Sequence, residues 1–123
     1  MLLAQPDFAD TPDSVLIAKA VTRAAEALGL RQAELAAIIG TSPSQVSKMK
    51  AGTGISGKPS ELALYVIRVF RSLDAITGGD RSTVTAWMRN ANSDLGGVPA
   101  DLMASAAGLV TVMTYLDAAR APL

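Results

Sequence analysis

LRQAELAAIIGTSPSQVSKMKAG, residues 30–52, decides how the rest of this chain is read. Residues 31–39 have helical spacing, with Leu35, Ala36 and Ile39 on one face. Gly40 ends that helix, because glycine takes the left-handed conformation after a helix without a Cβ penalty. Thr41, Ser42 and Pro43 restart the chain. Ser42 is a natural N-cap, and Pro43 fits the first helical position, where its missing N–H is not needed. The second helix is expected to run to about Ala51, with Gly52 as its stop. Two short helices joined by a few residues containing glycine form a helix-turn-helix pattern, whose second helix enters the DNA major groove.

The polar residues suit that pattern. Val46 and Met49 face the core, which leaves Ser44, Gln45, Ser47 and Lys48 on the open side. Ser42 stands at the same end. Gln32 opens the first helix, where a side chain and a helix N-terminus together reach a phosphate. An ordinary helical hairpin with a solvated polar face is the competing reading of the same residues.

The stretch resembles the Xre-type helix-turn-helix of the phage-repressor family. It has the Leu28–Gly29–Leu30 lead-in, Gln32, Glu34, Leu35, Ala36, Gly40, Val46 and the terminal Gly52. The resemblance implies base contacts from Pro43, Ser44 and Lys48, and phosphate contacts near Gln32 and Gln45. Pro43 stands where many members carry a hydrogen-bonding residue, which leaves one base contact apolar or absent.

Working outward, the 123 residues are half hydrophobic and poor in aromatics, so the core is built from Ala, Leu, Val, Ile and Met. That composition suits helices, and alternating β-branched runs between turn signals are missing. The expected fold class is all-α. The chain has no Cys and no His. Disulfides and thiolate chemistry are excluded, and the commonest metal ligand and acid–base catalyst is missing. An enzyme and a bound cofactor are therefore not expected. Residues 1–13 show no basic segment followed by an apolar one, so no signal peptide is read there. The uncharged run 102–116 is shorter than the about 20 apolar residues that span a bilayer. A soluble, cytoplasmic protein without membrane contact is expected.

The net charge is zero, but it is unevenly spread. Residues 14–58 carry six bases against Glu26 and Glu34, residues 1–13 carry only acids, and residues 59–123 are nearly balanced. The positive charge thus sits with the helix-turn-helix, as phosphate contact requires. It is modest, so tight operator binding would need a dimer or larger assembly.

Three units are expected: an arm over 1–12, the helix-turn-helix unit over 13–58, and a helical unit over 59–123. Thr11 and Pro12 start a helix that continues over 15–28, with Leu16, Ala20, Ala24 and Leu28 as its buried stripe and Gly29 as its end. Residues 53–57, TGISG, form a turn-rich connector. Lys58, Pro59 and Ser60 open a long helix to about Ile76, with Leu62, Val66, Val69, Phe70 and Leu73 on its apolar face. Asp80 caps a helix over 81–90. Pro99 opens a short helix over 100–107, Gly108 marks a break or a close packing contact, and 109–119 is the last helix.

The second informative stretch is 80–116. From residue physics alone it reads as a helical hairpin that completes the core. It is also similar to the toxin-binding domain of Xre/MbcA/ParS-type antitoxins, in Trp87, Asn92, Leu95, Gly96, Gly97, Pro99, Leu102, Gly108, Val112 and Leu116. The order of the two motifs matches as well. The resemblance implies a RES-domain toxin as partner, an enzyme that degrades NAD⁺, and operator DNA as a second partner. It implies inhibition by covering the NAD cleft with the C-terminal part, residues 109–123 here, and repression of the chain's own operon. The candidate toxin contacts are Tyr115, Leu116, Asp117, Arg120, Pro122 and Leu123 with its carboxylate. A homodimer or a larger hetero-oligomer with toxin is expected. Two other readings stay open: a repressor whose C-terminal part only oligomerises it, and an interaction module that has lost DNA binding.

Overall fold

The computed structural model describes residues 11–121, which form seven helices and no strand. They are α1 (Pro12–Leu28), α2 (Gln32–Ile39), α3 (Pro43–Lys50), α4 (Gly57–Thr77), α5 (Arg81–Arg89), α6 (Pro99–Leu102) and α7 (Ala106–Arg120). The all-α class is as the sequence indicates. Most of the expected arm lies outside the described residues.

Local chemistry sets the helix ends. Thr11 caps α1 by accepting from the Ser14 N–H at 3.2 Å, with Pro12 in the first turn. Gly29 ends α1 at φ 77°, a region that suits glycine. The first helix of the expected pair starts one residue late, with Arg31 as its N-cap. The Arg31 N–H donates to Glu34 Oε1 at 2.9 Å, which satisfies one of the orphan donors of the first turn.

The buried stripe of α1 differs from the expected one. Ala24 and Leu28 are buried as expected, but Leu16 is 66% exposed and Ala20 half-buried, while Ala18, Val21 and Ala25 also face inward. In an alanine-rich helix several stripes have helical spacing. On α4, Leu62, Val66, Val69 and Leu73 are buried as expected, and Phe70 is half-buried.

The long helix α4 is the spine, packed on α1 along one side and on α7 along another. Buried apolar residues from α1 to α7 form one cluster. The connector before α4 is turn-rich but anchored: Ile55 is 5% exposed, and its N–H bonds the Ser14 carbonyl at 3.2 Å.

The helix boundary near Gly108 is corrected. α6 stops at Leu102, and α7 begins at Ala106. Ser105 is the N-cap of α7, accepting from the Gly108 N–H at 3.0 Å, so Gly108 lies in the first turn of the helix. Of the two roles the sequence left open for Gly108, the structure shows close packing. A Cβ there would overlap the Leu102 carbonyl group.

Candidate functional site

The α2–α3 pair builds the first surface. Val46 and Met49 are fully buried and fix the rotation of α3. Ser42 accepts from the Gln45 N–H at 3.1 Å and caps the helix. Its hydroxyl also lies 3.1 Å from that of Ser44. Ser44, Ser47 and Lys48 follow at helical spacing on one face and are exposed, as are Ser42 and Pro43, while Gln45 is half-buried. Gln32, at the start of α2, donates from Nε2 to Ser47 Oγ at 3.1 Å. The α3 candidates thus run from the N-cap Ser42 to Lys48 in the last turn, and Gln32 of α2 joins them through Ser47. Lys50 is tied back to Glu26 of α1 at 2.9 Å, whereas Lys48 forms no ion pair among the described residues.

One contact of α2 has no signal in the sequence. Arg89 of α5 donates from both terminal nitrogens to the Glu34 carboxylate, each at 2.6 Å, and from Nη2 to the Gly29 carbonyl at 2.6 Å. Arg31 Nε reaches the same carboxylate at 3.2 Å. The Arg89 hydrogen bonds, with the backbone and side chain of Arg31 assisting, outweigh desolvation and hold the Glu34 carboxyl at a pKa of about 2. A separation of 55 residues hides this pair from any local reading.

The second surface lies on α5, the turn after it and α7. Asn92 organises the turn: its Oδ1 accepts from the Leu95 N–H at 3.1 Å, and its backbone pairs with Gly97. Tyr115 stacks on Trp87 with ring centroids 6.4 Å apart and donates its hydroxyl to Asp94 Oδ2 at 2.9 Å. That hydrogen bond is the main cause pushing the phenol pKa above its ordinary value. Trp87 and Tyr115 are both half-buried, which leaves part of the stack open.

Further along α7, Asp117 accepts from Ser72 Oγ at 3.0 Å and pairs with Arg68 at 2.7 Å. Arg120 reaches the same Ser72 hydroxyl at 3.4 Å. Leu116 requires a correction. It is 2% exposed and belongs to the core cluster, because Leu109, Val112 and Leu116 form the stripe that seats α7. It is therefore not offered to a partner. Pro122 and Leu123 lie outside the described residues. The sequence reading also missed an open groove between α1 and α4, where exposed Leu16 and Leu64 sit near Arg68, Arg71 and Arg120. The exposure of Leu16 follows from the misplaced stripe of α1.

Comparison with known families finds two matches along the chain. A model of the antitoxin Xre-like helix-turn-helix domain matches residues 15–68. A model of the antitoxin Xre/MbcA/ParS C-terminal toxin-binding domain matches residues 72–121. The chain belongs to the Xre/MbcA/ParS antitoxins. No curated protein matches the antitoxin in sequence. Its two matched parts indicate a toxin and DNA as partners, and a regulatory role. No helix among the antitoxin's described residues is long and apolar enough to cross a membrane.

Proposed function

We propose that this antitoxin neutralises a RES-type, NAD-degrading toxin by steric cover of the NAD cleft, and represses its own operon through α3. The observation that carries the first half is the shape of α7. Leu109, Val112 and Leu116 anchor the helix in the core, while Ala118, Ala119, Arg120 and Ala121 at its end are all exposed. An anchored helix with an exposed last turn presents a preformed surface, which loses little freedom on binding. Tyr115 and Arg120, with Pro122 and Leu123 beyond, are the proposed toxin contacts. Asp117, held by Arg68 and Ser72, pins this turn to α4 and borders the surface. The family resemblance motivates the RES class of the toxin, and the cytoplasm is the compartment where such a toxin meets NAD⁺.

The test is NAD⁺ loss in cells that express the toxin encoded beside this gene, with and without the antitoxin, together with co-purification of the two. Suppressed loss and a stable complex are the expected result. Deleting residues 120–123 is expected to restore NAD⁺ loss while leaving the fold intact. Full protection by the truncated chain would place the covering element elsewhere.

For the operon half, Gln32, Ser42, Pro43, Ser44, Gln45, Ser47 and Lys48 are the proposed DNA contacts. Lys48→Ala is expected to weaken binding to a promoter duplex by about 1–3 kcal/mol if it reads a base. A gel-shift titration at fixed salt measures this, and an unchanged affinity would remove Lys48 from the interface. Half-sites one helical turn apart need two recognition helices, so a dimer or a larger assembly with toxin is part of the proposal. Exposed Leu16 and Leu64 support pairing of copies.

A further inference from the structure

Two observations put α5, which lies inside the toxin-binding match, against the first turn of the helix-turn-helix. Thr85 Cγ2 sits 2.9 Å from where a Cβ of Gly29 would stand, so the α1–α2 turn and α5 are in direct contact. One helical turn later on α5, Arg89 grips the Gly29 carbonyl and both oxygens of Glu34. We infer that Arg89 is a positioning residue for DNA reading, acting from the toxin-binding part on the helix-turn-helix through Glu34 and Gly29. The inference rests on the DNA-reading role proposed for α3.

The physical chain is short. α2 has only eight residues, too few to hold a helix by propensity alone. Its N-terminal turn is fixed by the Glu34 carboxylate, which caps the Arg31 N–H and sits where the helix dipole favours an anion. The Glu34 side chain is only 16% exposed, so without Arg89 it would lose its bidentate partner in a partly dry place. From the same turn, Gln32 reaches across to Ser47 on the outer face of α3. Arg89, Glu34, Gln32 and Ser47 thus link α5 to the recognition helix through α2. The same α5 carries Trp87, stacked on Tyr115, so it also borders the proposed toxin surface.

The experiment uses the full chain as wild type, Arg89→Ala and Arg89→Lys. Each is titrated with a duplex of its own promoter across a salt series, and amide hydrogen exchange is recorded on the free proteins. Arg89→Ala is expected to weaken operator binding about tenfold, equivalent to about 1.4 kcal/mol, with the salt dependence unchanged. It is expected to speed exchange selectively in residues 31–36 and 46–50. Arg89→Lys recovers part of both, because an ammonium keeps the charge but cannot make the planar two-point contact. A salt slope lower by about one unit would mark Arg89 as a phosphate contact and overturn the inference. Unchanged affinity, or exchange raised evenly over all helices, would overturn it as well. If the wild type binds no promoter duplex, the DNA reading itself fails, and exchange in 31–36 still decides whether the contact holds α2 in place.

Discussion

Gly108→Ala is expected to destabilise the antitoxin by about 3 kcal/mol, a large effect for a single added methyl group. Helix propensity alone predicts the opposite sign, since alanine is favoured over glycine inside a helix by about 1 kcal/mol. Packing decides the outcome. The added Cβ would overlap the carbonyl oxygen and carbon of Leu102 and come within 2.9 Å of Ser105 Oγ. The Leu102 contact is backbone, so no rotamer change relieves it. Either α7 moves away from the α6 turn, or the Ser105 cap on the Gly108 N–H is lost. Both displace Leu109, which is fully buried next to the site. Urea unfolding of the two proteins measures the difference. Equal or greater stability in the alanine variant would show that the α6–α7 turn opens freely and that the approach at Gly108 is not required.

Leu116→Ala is expected to cost about 3 kcal/mol and to lower the melting temperature by about 10 °C. The side chain is 2% exposed and sits in the cluster where α4 and α7 meet, so its removal leaves a cavity. The same substitution at a partner surface would leave stability unchanged and weaken only the complex. Thermal unfolding of the free antitoxin separates the two. A variant that melts like wild type yet fails to hold toxin would return Leu116 to the interface.

The helix ends were legible because each rests on one or two neighbouring residues. Thr11 with Pro12, Ser42 with Pro43, Gly29 and Gly40 act locally, and their roles follow from backbone and cap chemistry. Facing was legible where large side chains fix it, as on α4 with Leu62, Val66, Val69 and Leu73. It was only half legible on α1, where Ala24 and Leu28 are buried but Leu16 is not, because alanines pack on whichever side a neighbour approaches. Leu116 was misread for a related reason. Spacing places Leu109, Val112 and Leu116 on one stripe, but does not say which neighbour the stripe meets. The start of α7 depends on whether Ser105 or Gly108 controls the restart, and a serine hydroxyl that finds the Gly108 N–H settles it. The candidate surface on α3 was read from its own residues. The Arg89–Glu34 contact joins positions 55 apart and could come only from the fold.

The two family matches meet inside α4, between residues 68 and 72, with the helix continuous from Gly57 to Thr77. A gene crossover at that junction would keep the helix but splice a foreign α7 seat onto Leu62, Val66 and Val69. It would also separate Glu34 and Gly29 from Arg89. Chimeras of this antitoxin with its relatives are therefore expected to inherit mismatched halves. New operator or toxin specificities in such a chain are reached more readily by point changes on α3 or at the α7 end than by exchange of whole parts. An engineer retargeting it would graft surface residues and leave the spine uncut.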